Sequence, residues 1–397
     1  MKLVVLGDLH LDPRETAAFD RARELIRAQA PSAVVCLGDV GSGRDSGTRE
    51  SFVAARDYLS ALNTPPACIL GNHDLERTET FATDRAVAES FCDVFDQGRP
   101  YQTIDLGDAL GVLLSSTGFR GNRGYQHEIN IDDEQFQWLR DTLEANRERT
   151  TVVFSHAPPL GSHLRVLQYP HLRAGNAWLN QSDRPRRFIE LLADHPQVRL
   201  WFSAHNHLGQ QYPNSISHVG RCLFVHTGVI GSTSRDGEHV SRVVEWDPND
   251  TIRIDTLDHK AGSRQADVRF DLRNNAVERK TTSEFEDAGR FFAPPRFEEV
   301  SADPARLEVG RRLLIANRDM LVEYDAELRD PVGVVEDWLG KSHVSVEGAA
   351  LKIASWIGSR CINENSDGYY FQIPARNPRL LNALREAVSR KLGRPVS

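Results

Sequence analysis

Long hydrophobic runs are missing from this 397-residue chain. None approaches the about 18–20 apolar residues that a membrane-crossing helix needs, so no membrane-spanning segment is expected. No secretory leader is expected either: after Met1-Lys2 the apolar stretch is only Leu3-Val4-Val5-Leu6, and Gly7-Asp8 follow at once. Cysteine is sparse. The five cysteines (Cys36, Cys68, Cys92, Cys222, Cys361) stand far apart, with no C-x-x-C zinc or redox pair. That pattern suits reduced thiols and a cytoplasmic location. A basic excess is absent as well. The 48 Lys+Arg against 56 Asp+Glu leave a net charge of −8, which excludes a uniformly basic nucleic-acid coat but not a local basic patch. There is no P-loop, no internal repeat and no low-complexity tract.

What is present is an alternation of short apolar strands and amphipathic helices. Lys2–Leu6, Ala33–Leu37 and Ala67–Leu70 read as buried strands separated by helices that carry Phe19, Leu25 and Ile26, then Phe52, Ala55, Leu59 and Leu62. Asp12-Pro13 with Glu15 supplies an N-cap, a first-turn proline and a box partner for the first helix. Ala109–Ser115 and Thr151–Ser155 flank a helix from about 132 to 145, and Val198–Ser203 is a further strand. Cys222–Thr227, Val240–Trp246 and Thr251–Leu257 follow without helices between them, which predicts an antiparallel end to the domain. The chain therefore divides into an α/β domain over 1–258, a polar linker or surface strap over 259–300, and a helix-rich accessory module over 301–397.

The chemistry-bearing residues fall just behind the strands. They are Asp8-Leu9-His10, Gly38-Asp39, Gly71-Asn72-His73-Asp74, Ser155-His156 and His205-Asn206-His207. Strand C-termini in such sheets share an edge, so five clusters converge on one crevice. Asp-x-His puts two side chains on one side of an extended backbone, and imidazole with carboxylate suits Mn, Fe, Zn or Co rather than Mg or Ca alone. Any one cluster alone reads as readily as a helix cap or a surface histidine; the ordered set argues a metal site.

These motifs resemble those of the calcineurin-like metallophosphoesterases, over about residues 1–258, with one departure: Ala204 stands where the family has a glycine before His205. The resemblance implies a four-layer α-β-β-α sandwich and a centre of two divalent or transition metal ions. It implies that Asp8, His10 and His207 hold one ion, that Asn72, His156 and His205 hold the other, and that Asp39 bridges them. It also implies that His73 is the acid beside the leaving group, with Asp74 as its partner. Asp8 and Asp39 contribute −2 and the other ligands are neutral, so two divalent ions leave the set at +2, or +1 with a bridging hydroxide, able to attract a phosphate anion. The expected activity is hydrolysis of a small phosphate ester, a phosphodiester or nucleotide above all. A DNA or RNA nuclease is the alternative, and a non-catalytic scaffold the least favoured reading because every ligand is present.

Three features carry less. The long stretch 161–187 offers Tyr169, Trp178 and Arg187 as a wall that could stack a base and pair with phosphate, or simply a loop packed on its own aromatics. Leu307, Leu314, Leu321 and Leu328 recur every seven residues, but with Gly310, Asn317 and Tyr324 as the companion row they favour ordinary packing over a dimer seam. The tail 376–397 has six basic residues and one acidic, more often a solvated helix face than a nucleic-acid contact.

Overall fold

The computed structural model describes residues 1–279 except 43–44, 76–79, 119–130, 160–184, 206, 208, 210–214, 235–236 and 248–249. Two sheets are built from strands whose side chains alternate between two buried faces. In β1 (Lys2–Leu6), Leu3 and Val5 point to one core while Val4 and Leu6 point to another. Burial on both faces is why this strand reads as a continuous apolar run rather than as an alternating one.

The first sheet has the order β13-β12-β11-β10-β1-β2-β3. Here β2 is Ala33–Cys36, β3 is Pro66–Cys68, β10 is Val240–Asp247, β11 is Thr251–Asp258, β12 is Ser263–Asp271 and β13 is Ala276–Arg279. β1, β2 and β3 run parallel, while β10 to β13 are antiparallel to their neighbours. The second sheet has the order β4-β5-β6-β7-β9-β8. Its strands are β4 (Gln102–Asp105), β5 (Ala109–Leu114), β6 (Thr150–Ser155), β7 (Val198–Ser203), β8 (Ile216–Val219) and β9 (Cys222–His226). β5, β6, β7 and β9 run parallel.

Three cores make the four layers. Leu3, Val5, Leu37, Phe154, Phe202 and Val225 fill the space between the sheets. The outer face of the first sheet meets α1 (Thr16–Ala28), α2 (Arg49–Ser60) and α3 (Asp84–Phe95) through Phe19, Ile26, Phe52, Leu59 and Phe91. The outer face of the second sheet meets α4 (Asp133–Ala145) and α5 (Pro185–Asp194) through Leu139, Leu143, Phe188 and Trp201. The expected α-β-β-α sandwich is what forms. Thr48, Thr83 and Asp132 cap α2, α3 and α4 by accepting from the backbone N–H three residues on. The strands β4 and β8, four residues each, are too short to stand out in the sequence; α3 has no counterpart in the sequence reading although Thr83 caps it and Val87, Phe91 and Val94 recur at helical spacing.

The domain does not stop at 258. β12 and β13 extend the first sheet, so residues 263–279 are strands and not part of a linker. Their many charges hide a core face: Val268 and Phe270 are buried and pack between the sheets. The turn after β12 is anchored to the second sheet by buried Arg199, which donates to Arg221 O, Leu272 O and Asn275 Oδ1 at 2.9–3.0 Å. Arg242 of β10, fully buried, crosses between the sheets. It donates to His226 O at 3.0 Å and to Thr256 Oγ1 at 2.6 Å, and it pairs with buried Asp267 at 2.8 Å. Nor is the end uniformly antiparallel, since β9 lies parallel to β7 in the second sheet. The helix-rich module expected over 301–397 lies outside the described residues.

Candidate metal centre

The C-terminal ends of β1, β2 and β3 and those of β6 and β7 meet along one edge, and every expected ligand sits in the turn that follows one of these strands. The turns are held rigidly. His10 N–H donates to Asp39 O at 2.7 Å and Leu11 N–H to Val40 O at 2.9 Å, so the chains leaving β1 and β2 run side by side. His205 N–H donates to both oxygens of Asp8, at 3.1 and 2.9 Å, which joins the two sheets at the site. Gly38 must lack a Cβ: its φ is +90°, and a Cβ there would lie 2.4 Å from Gly71 N. Ala204 is accommodated, buried, with its N–H on His156 O at 2.7 Å, so the departure from glycine leaves the turn intact.

His10, Asp39, His205 and His207 all adopt positive φ (38°, 48°, 71° and 53°) although none is glycine. Each such residue costs about 1–3 kcal/mol and persists only where its surroundings impose it, a condition concentrated at functional sites.

Two groups of side chains result. The ligand atoms of Asp8, His10, Asp39 and His207 lie within 4.8 Å of one another, as do those of Asp39, His156 and His205. Asp39 belongs to both. Asn72 joins the second group, its Oδ1 3.0 Å from His156 Nε2. All seven residues are buried.

The donor chemistry fits metal ions. The Nδ1–H of His10 donates to Gly41 O at 3.0 Å, that of His156 to Leu37 O at 2.7 Å and that of His207 to Thr233 O at 2.9 Å. A carbonyl only accepts, so each Nδ1 carries the proton and each Nε2 is the nitrogen turned toward the cluster. The Nε2 atoms of His10 and His207 face each other at 3.1 Å, an arrangement of two lone pairs that a cation between them satisfies. Asp39 Oδ2 is buried between two of these nitrogens, 3.2 Å from His156 Nε2 and 3.8 Å from His10 Nε2. Oxygen and imidazole nitrogen in this mixture match transition-metal preference.

Electrostatics in the metal-free protein follow from burial and proximity. Burial opposes ionisation of Asp39, but His156, His73 and His10 outweigh it and hold the carboxyl well below its usual range. Asp8 behaves likewise, with His207 and His156 overriding burial. Burial and neighbouring His207 bring His10 down to about 4, whereas Asp39 carries His156 up to about 10 against its burial.

His73 and Asp74 sit differently. His73 is half-buried, its backbone N–H on Asp39 Oδ1 at 2.8 Å and its ring 5.4 Å from that of His10, so it stands at the rim of the cluster. Asp74 was expected beside the His73 imidazole. Its carboxylate accepts three backbone N–H bonds, from Asp39 and Gly71 on Oδ2 (both 2.8 Å) and from Val40 on Oδ1 (2.9 Å). It ties together the turns that carry Asp39 and Asn72. Burial and then Asp39 push its carboxyl up to about 7, against those amide bonds.

Of the expected substrate wall, Tyr169 and Trp178 lie outside the described residues. Arg187 is engaged elsewhere, paired with Asp133 at 2.9 Å, bonded to Ile131 O and stacked 4.3 Å over Phe136, which fastens α5 to the start of α4.

Residues 1–209 match the family model of the calcineurin-like phosphoesterases. The chain belongs to that family. It is 23% identical over 195 residues to a probable cyclic nucleotide phosphodiesterase of Synechococcus, covering 49% of this chain and 64% of that protein. It is 26% identical over 183 residues to a glycerophosphodiester phosphodiesterase of Enterobacter lignolyticus, covering 45% of this chain and 57% of that protein. The match thus spans under two thirds of either relative. A purple acid phosphatase from yellow lupin (Lupinus luteus) seeds is similar in structure, with a TM-score of 0.46 and 11% identity over 67% of this chain and 52% of that one. Among the described residues of this phosphoesterase family member, no helix is long and apolar enough to cross a membrane.

Proposed function

We propose that this chain hydrolyses a small phosphodiester or nucleotide-type phosphate ester at a centre of two metal ions. Asp8, His10 and His207 hold one ion, Asn72, His156 and His205 the other, and Asp39 touches both. The observation that carries this reading is the pair of buried ligand groups that share Asp39. The names of the two relatives, both phosphodiesterases, favour a diester.

When bound, two divalent ions supply positive charge to the phosphoryl oxygens and lower the pKa of a water. The chain's own residues do the rest. The backbone carbonyls of Gly41, Leu37 and Thr233 hold three imidazoles in one tautomer and one orientation, so the ligand geometry is preorganised. His73, at the rim and fixed by its backbone bond to Asp39, donates a proton to the departing alkoxide.

Elemental analysis joined to turnover of a phosphodiester and a phosphomonoester tests the reading. Wild-type protein is expected to hold two metals, and Asp39→Asn, which removes charge from both ligand groups, to hold fewer and to lose nearly all turnover. Two metals and a near-normal rate in that variant refute the assignment.

A further inference from the structure

The spacing Asp12-Pro13-x-Glu15 marks Glu15 as a helix-cap partner, yet in the structure its carboxylate caps nothing. It reaches across to the loop between β9 and β10. Ser232 N–H donates to Glu15 Oε2 at 2.9 Å and the Ser232 hydroxyl donates to Glu15 Oε1, a two-point grip on a residue 217 positions away. The next residue in that loop, Thr233, presents the carbonyl that accepts from His207 Nδ1–H at 2.9 Å. His207 itself has φ +53°, and this ring bond holds its imidazole in one tautomer. Its Nε2 lies 3.1 Å from His10 Nε2 and 3.4 Å from Asp8 Oδ1.

We propose that Glu15 is a positioning residue for His207: by gripping Ser232 it fixes the Thr233 carbonyl, and that carbonyl sets the tautomer and aim of the imidazole. The inference rests on the metal-centre reading above. Near its base the loop is closed by Val240 N–H on Val229 O and by His239 Nδ1–H on Ile230 O, and further out the Glu15 grip holds Ser232, the neighbour of Thr233. Gly231 brings the chain close enough for that grip, since a Cβ there would stand 3.2 Å from Glu15 Oε2. Loss of the grip lets the carbonyl swing, and Nε2 then no longer converges with Asp8 and His10. In the other ligand group the His156 imidazole is anchored separately, through Leu37 O.

The test uses the full chain stripped of metal, as wild type, Glu15→Ala and Glu15→Gln. Stepwise Mn(II) titration by calorimetry reads the two affinities, and ¹⁵N spectra of the metal-free proteins read the His207 tautomer. Glu15→Ala is expected to weaken one step by about 10-fold, the low end of the range for outer partners of a ligating histidine, and to leave the other unchanged. His207 should shift from the Nδ1–H form toward a mixture. Glu15→Gln offers an oxygen to Ser232 N–H and an amide donor to the Ser232 hydroxyl, so it should restore both readouts. Unchanged affinities in Glu15→Ala, equal weakening of both steps, or failure of Glu15→Gln to restore them would overturn the proposal. A wild-type protein that binds fewer than two ions refutes the metal-centre reading instead, and the His207 spectra then still decide the Glu15 link.

Discussion

Asp74→Asn separates two roles for a fully buried carboxylate. The structure gives Asp74 three amide donors, two on Oδ2 and one on Oδ1. Asparagine keeps one acceptor oxygen, which can serve Asp39 and Gly71, but turns an NH2 group toward Val40 N–H. One buried donor is left unsatisfied and faces another donor, a loss of about 1–3 kcal/mol. Asp74→Ala orphans all three amides, about 3–9 kcal/mol by the same range per group, a large share of the roughly 5–15 kcal/mol that holds a domain folded. Urea unfolding of metal-free protein, followed by circular dichroism, should therefore rank wild type above Asp74→Asn and that above Asp74→Ala. Because the amides belong to the turns of Asp39 and Asn72, Asp74→Asn should also bind metal more weakly and slow all esters alike. A variant with the wild-type midpoint, slowed only on esters with a poor leaving group, would show that Asp74 serves the His73 imidazole and that the amide argument is wrong.

Other outcomes follow from the same geometry. His73→Ala should keep both metals and lose about 10²–10⁴-fold on an alkyl or nucleoside ester, with a markedly smaller loss on a nitrophenyl ester; a lost metal or equal slowing of both would show another role. His259 is buried with its Nε2 2.9 Å from Ser241 Oγ, and burial holds it down at about 4. The unfolded chain therefore takes up a proton near 6.5 that the folded one refuses, so this stability is complete above pH 6.5 and is lost as pH falls toward 4. The loss is about 2 kcal/mol by pH 5, and His259→Phe should flatten that part of the stability profile; an unchanged slope would refute it. A fragment ending at 260 loses Val268, Phe270 and the Asp267 partner of Arg242, and should unfold or aggregate, whereas one ending at 279 should stay folded and bind metal. A soluble, metal-binding 1–260 would return the boundary to 258.

The convergence of Asp8, His10, Asp39, Asn72, His156, His205 and His207 was legible because each lies within one to four residues of the end of an apolar strand, and because parallel strands bring their C-termini to one edge. The amide bonds of Asp74 were not, since adjacency to His73 suggested a local side-chain partner, while two of its three backbone donors, Asp39 and Val40, lie more than thirty residues away. The boundary near 258 failed for a related cause. Ser263–Asp271 is charged on one face, and only packing against the second sheet reveals that Val268 and Phe270 form its other face.

What the sequence determined by itself, then, is whatever depends on period and spacing. That covers the two-layered strands, the helices that flank them, and the order of aspartate, histidine and asparagine along one edge. The tertiary structure alone decided which distant groups meet. Arg242 with Asp267, Glu15 with Ser232 and Arg199 with the turn after β12 are pairs separated by 25 to 217 positions. A charged side chain can satisfy many partners, and its own neighbours in sequence do not say which one burial and chain geometry will bring to it.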